Sequence, residues 1–168
     1  MTDWQYYPKS DSMPEHLHNL LEVFKKHEED ISSSKHKHSS NAVLSFLKDD
    51  LLNSGFLVEK GRKAEDRIKM PVLFGRNGQL EKHFQVDSFH KETGTVLEVE
   101  AGRAVDNHQF LKDLFEACLM QGVNYLAIAV RLTYRRQSDF ESVITHFDAL
   151  YASNRLKLPL KGILIIGY

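Results

Sequence analysis

Residues 86–103 read VDSFHKETGTVLEVEAGR. Asp87 follows Phe84 and Val86. Glu98 and Glu100 interrupt the apolar run Val96-Leu97-Glu98-Val99-Glu100. The alternation over 96–100 predicts a strand. Side chains alternate along a strand, so Val96, Glu98 and Glu100 share one face and Leu97 and Val99 the other, taken as the core side. The stretch before it, from Gln79 to Phe89, predicts another strand. If Lys91-Glu92-Thr93-Gly94 forms a four-residue turn, His90 pairs with Thr95. By the same register Asp87 falls opposite Glu98, with Cβ atoms about 5 Å apart. Asp87, Glu98 and Glu100 then converge, with Gln85 nearby. Three facing acids repel unless a cation neutralises them. Hard oxygen ligands suit Mg²⁺, Mn²⁺ or Ca²⁺. The competing reading is a solvent-facing strand, which also alternates apolar and polar residues. A slip of one residue in register would separate Asp87 from Glu98.

Working outward, residues 14–31 predict a first helix, with Leu17, Leu20, Leu21, Phe24 and Ile31 as its apolar stripe. SSSKHKHSS, residues 32–40, has no periodicity and predicts a loop or mobile linker. A second helix is expected from Asn41 as N-cap, stopped by Asn53-Ser54-Gly55. FLVEK and RIKMPVLFG follow as strands, the latter ending in a Gly75-Arg76-Asn77-Gly78 hairpin turn. Beyond GTVLEVEAG, a helix is expected over about 105–121, opened by an Asp106/Gln109 capping box and closed by Gly122. YLAIAVRLTY predicts a strand buried on both faces. A helix from Ser138 to about Ser153 and the strand GILIIGY complete the chain. The expected fold class is α/β (α+β): a mixed central sheet flanked by helices, with an N-terminal helical segment (1–40) and a core over about 41–168, forming one domain.

A net charge of -1 argues against a protein that coats nucleic acid through bulk charge, while leaving room for a local basic groove. One cysteine, Cys118, rules out an intramolecular disulfide and fits a reducing cytoplasm. No apolar run approaches the roughly 20 residues of a membrane span.

An Asp, a short hairpin, then Glu-X-(Lys or a substitute) on the next strand, followed by a helix and a buried strand, resembles the PD-(D/E)XK nuclease superfamily, the fold of many type II restriction endonucleases. The resemblance covers residues 84–130. It matches Asp87 to the metal-binding Asp, Glu98 to the metal-binding acid and Glu100 to the position usually held by Lys. Val86 stands where the motif has Pro. The resemblance implies a Mg²⁺- or Mn²⁺-dependent DNA endonuclease. Without the Lys it favours two metals with Glu100 as a ligand; otherwise Glu100 would orient water or take its proton. An enzyme of this type reading a palindrome would be a homodimer. The alternative is a non-catalytic nucleic-acid-binding or interaction module that kept the fold.

Arg103, just beyond the carboxylate strand, is a candidate phosphate contact. Lys112, in the following helix, is a candidate for the missing positive charge, or pairs with Glu116 on the surface. Arg131, Arg135 and Arg136 leave the C-terminal end of the buried strand and are read as a basic rim for DNA or as surface charge. Asp49, Asp50 and Glu59 are open candidates for a second metal ligand.

Overall fold

The computed structural model describes residues 1–61, 63, 65–102, 104–133 and 138–168. In chain order the elements are β1 (Asp3–Tyr7), α1 (Glu15–Lys26), α2 (Glu28–Ile31), α3 (Ser40–Asn53), β2 (Phe56–Val58), β3 (Ile68–Phe74), β4 (Leu80–Val86), β5 (Ser88–His90), β6 (Thr95–Val99), α4 (Gln109–Leu119), β7 (Tyr125–Val130), α5 (Asp139–Ser153) and β8 (Gly162–Gly167). Among them, six strands make one sheet in the order β1-β8-β7-β6-β5-β2, and β3 and β4 make a separate two-stranded ribbon. β6, β7 and β8 are mutually parallel; the other neighbours in the main sheet are antiparallel. This is the expected mixed sheet flanked by helices.

The three parallel strands are apolar at nearly every position because both faces are covered. Leu97, Val99, Ala127, Ala129, Leu164 and Ile166 pack with the α1–α3 side. Val96, Leu126, Ile128, Val130, Ile163 and Ile165 pack against Phe110 and Leu114 of α4 and Phe140, Val143 and Phe147 of α5. Glu98 shares the Val96 face. It therefore points into a second packed layer, not toward open solvent.

Several expectations change. β1 was not anticipated: Asp3–Tyr7 adds antiparallel to β8 at the edge of the sheet. Tyr7 is fully buried, and its hydroxyl donates to Asp148 Oδ1 at 2.6 Å. The first helix ends at Lys26, and a separate turn covers Glu28–Ile31. The second helix is capped by Ser39, whose side chain accepts from the Ala42 amide, so Asn41 lies inside it. The Asp106/Gln109 capping box does not form. α4 starts after His108, which is left-handed at φ 50°. Ser138 does cap α5, accepting from the Glu141 amide. The loop at 32–40 is fastened to its neighbours: His36 Nε2 lies 3.0 Å from the Glu29 carbonyl and His38 Nε2 3.1 Å from that of Asp30. The strand read as continuous over 79–89 is two strands, parted at Asp87. β4 belongs to the ribbon and β5 to the main sheet.

Candidate active site

Asp87 sits where the chain leaves the ribbon for the main sheet. Its carbonyl accepts from the Glu59 amide at 3.0 Å, just beyond β2. β5 and β6 pair as Ser88↔Leu97, Phe89↔Val96 and His90↔Thr95. One step further along that ladder lies Asp87 against Glu98. Asp87 Oδ2 accepts from the Val99 amide at 2.9 Å, and the Asp87 amide donates to Glu98 Oε2 across a longer 3.4 Å. The turn between the strands requires Gly94, left-handed at φ 66°. A Cβ there would stand 2.4 Å from the Gly122 carbonyl oxygen.

Glu98 and Glu100 lie at the C-terminal end of β6, which runs parallel to β7. Open α/β sheets place ligands at such ends. The Glu100 backbone is held on both sides: its amide donates to Ala129 O at 2.8 Å, and its carbonyl accepts from the Tyr168 hydroxyl at 3.0 Å. Asp87, Glu98 and Glu100 are each partly buried.

A fourth acid closes the group. Asp113 on α4 is only 5% exposed. Its Oδ1 accepts from Gln109 Nε2 at 3.1 Å, while its Oδ2 has no hydrogen-bond partner. It faces the Glu100 carboxyl closely enough for the two to share a proton. Sequence reasoning missed it, although one signal was present. Asp113 occupies the inward stripe of α4 with Phe110, Leu114 and Ala117, where an acid has no packing role.

Burial and crowding hold these acids above their ordinary range. Burial, opposed by the Val99 amide, places Asp87 at about 6. Burial, then Asp113 and Asp87, raise Glu100 to about 8. Burial raises Asp113 to about 7 against the Gln109 hydrogen bond. Glu98 is raised well above its ordinary value, by burial first and then by Asp87 and Asp113. Burial and crowding thus favour the protonated acids; once ionised, the group carries negative charge that its own side chains do not neutralise.

Lys112 is exposed, with Nζ 3.6 Å from Glu116 Oε1; its charge lowers the pKa of both Glu100 and Asp113. Arg131 does not form a basic rim. It is 8% exposed, and its guanidinium donates to the His38 carbonyl. Arg103, Arg135 and Arg136 lie outside the described residues. Of the three further acids considered, Asp50 is engaged with Lys26 and His27 at 2.7 Å each. Asp49 is exposed. Glu59 is buried beside Asp87, raises its pKa, and pairs with Arg67 at 2.7 Å.

This donor set fits a hard divalent cation: all oxygen, mutually repelling, with one buried carboxylate oxygen lacking a donor. Among the described residues no three His, Cys, Asp or Glu side chains stand ready to enclose an ion. An ion here would take one or two carboxylates and complete its shell with water, as Mg²⁺ usually does.

A mixed sheet between two helical layers, forked at an acid that meets a second acid across a hairpin, is a restriction-endonuclease-like fold. The solved structures bear this out. The chain is similar to free BglII, with a TM-score of 0.51 and 13% identity, over 99% of this chain and 78% of that one. It is also similar to the restriction endonuclease BglII complexed with a DNA 16-mer, with a TM-score of 0.54 and 13% identity, over 99% of this chain and 77% of that one. No protein-family model and no curated protein sequence matches the chain.

Proposed function

We propose that the chain is a divalent-metal-dependent endonuclease of restriction type that hydrolyses phosphodiester bonds in DNA. The observation that carries this reading is the closure of the β5–β6 hairpin. Asp87 Oδ2 is fixed by the Val99 amide at 2.9 Å, which sets it beside Glu98. The acids around this pair hold one another's pKa up. A carboxylate face that crowded favours a cation. The DNA-bound state of a structural neighbour supports DNA as the polymer.

Asp87 and Glu98 would hold Mg²⁺ or Mn²⁺. When bound, the ion supplies charge neutralisation at the phosphate and lowers the pKa of a coordinated water. Glu98 stands on a strand packed on both faces, which fixes its backbone. Glu100 is either a ligand of a second ion or the group that orients the attacking water and takes its proton. Burial and the neighbouring acids raise its pKa, so a bound cation is what would free it to accept a proton. Lys112, whose charge already acts on Glu100 and Asp113, takes over part of the role of the motif lysine. Asp113, close enough to Glu100 to share a proton with it, would hold that carboxyl beside α4.

The test is cleavage of plasmid and mixed genomic DNA with Mg²⁺ or Mn²⁺ and with chelator. Cleavage that needs the ion and vanishes in a folded Glu98→Gln variant is expected. DNA left whole in every condition, or cleaved equally by Glu98→Gln, would refute the proposal.

A further inference from the structure

The β3–β4 ribbon has no counterpart in the chemistry above, and most of it packs on little. Its inner face is fixed: Ile68, Met70, Phe84 and Val86 join the core beneath α4. The Gln121 amide donates to the Pro71 carbonyl at 3.0 Å and pins one edge. Beyond residue 72 that support ends. Leu73 is 54% exposed, Phe74 47% and Leu80 44%. At the end Asn77, left-handed at φ 59°, turns the chain, and Arg76, Asn77 and Gln79 all face solvent.

Charge separates this ribbon from the rest of the molecule. Between Ile68 and Val86 stand Lys69, Arg76 and Lys82 against the single acid Glu81, in a chain whose net charge is -1. His83 adds a ring N–H donor. The Glu81 carboxylate folds back over the Gly75 backbone. Lys69 pairs across the ladder with Gln85, on the face opposite the packed residues. Lys82 Nζ lies 5.1 Å from the centre of the Phe84 ring.

We infer that this ribbon enters a groove of duplex DNA and supplies the contacts that hold and register the substrate. The inference rests on the proposal that DNA is the substrate. A two-stranded ribbon fits the B-DNA major groove, about 12 Å wide. Seven residues of strand span about 23 Å, enough to reach several base pairs from the site. Lys69 and Lys82 would meet phosphates. Arg76, Asn77 and Gln79, whose side chains pair with guanine and adenine edges, would meet bases. The exposed Leu73, Phe74 and Leu80 suit thymine methyl groups and sugars better than water. The ribbon is also joined to the chemistry by the chain itself: β4 ends at Val86, and the next residue is Asp87. A shift of the ribbon in the groove is thus felt at the first acid of the site.

The experiment is fluorescence anisotropy of labelled mixed-sequence duplex DNA bound to the full chain, with Ca²⁺ in place of Mg²⁺, at several salt concentrations. Lys69→Glu/Lys82→Glu is compared with Lys25→Glu/Lys37→Glu, an equal charge change outside the ribbon. The ribbon variant is expected to bind about tenfold or more weaker, with the salt slope reduced by about 2. The tip variant Arg76→Ala/Gln79→Ala, which leaves the left-handed Asn77 in place, should keep most non-specific affinity while losing discrimination among duplex sequences. All substituted side chains are solvent-facing, so melting temperatures should match the parent. Equal losses in ribbon and control variants, or unchanged affinity and slope in the ribbon variant, would overturn the inference while leaving the nuclease proposal intact. An unmodified chain that binds no duplex at all would instead overturn the choice of DNA as substrate, and the ribbon inference with it.

Discussion

Asp87, Glu100 and Asp113 have folded pKa values of about 6, 8 and 7, against ordinary values of 3.8, 4.5 and 3.8. Each binds its proton more tightly folded than unfolded. Between roughly pH 4 and pH 8 the folded chain therefore holds more protons, and stability falls as pH rises through that window. A displaced pKa is worth about 1.4 kcal/mol per pH unit, so several groups together form a steep dependence. Metal-free protein should accordingly melt higher at pH 5 than at pH 8, and millimolar Mn²⁺ should remove most of the difference by binding the ionised acids. A metal-free melting temperature that rises over this range would contradict the pKa assignments. Asp113 gives a sharper case. Its Oδ2 is buried without a donor beside Glu100. At pH 8 without metal, Asp113→Asn should stabilise the fold by about 1 kcal/mol in urea unfolding, because it replaces a repelling carboxylate by a donor. A loss of stability would mean that Asp113 carries a partner it lacks in this structure.

The β5–β6 hairpin sets the register on which the site depends, and Gly94 makes its turn possible. Gly94→Ala places a Cβ 2.4 Å from a backbone oxygen at a positive φ, where neither side can yield cheaply. A loss of about 2 kcal/mol or more is expected by urea unfolding, together with weaker Mn²⁺ binding; a neutral result would show that the turn tolerates another backbone. This register was legible from local sequence, because turn length and alternation are properties of consecutive residues. So were β7 and β8, whose unbroken apolar runs suit strands covered on both faces. The parting at Asp87 was not legible, since a chain that changes sheets keeps the same alternation on both sides. Nor was α4's true start, where a left-handed His108 takes the place of a side-chain cap. Asp113 escaped because a helical pattern read for apolar positions counts an inward acid as a gap in the stripe.

One edge of the main sheet joins strands far apart in sequence: Asp3–Tyr7 pairs antiparallel with Gly162–Gly167. Such a pairing spans nearly the whole chain, and no short window of sequence reports it. Tyr7 stacks on Tyr151 at 5.2 Å between ring centres and reaches Asp148 with its hydroxyl, tying α5 to the edge strand. Tyr7→Ala should cost about 3–5 kcal/mol, read as a lower denaturant midpoint; a cost under about 1 kcal/mol would mean β1 is an ornament. No helix among the described residues is long and apolar enough to cross a membrane. At this scale the acids of the fork, the C-terminal end of β6 and the inward face of α4 meet in one place, beside the basic ribbon. The proposed chemistry requires that this place hold a divalent cation. Anomalous diffraction from crystals soaked in Mn²⁺ tests it most directly. A Mn²⁺ peak between the Asp87 and Glu98 carboxylates, lost in Glu98→Gln, is the predicted result. A well-ordered site with no peak there, or Mn²⁺ bound only elsewhere, would contradict it.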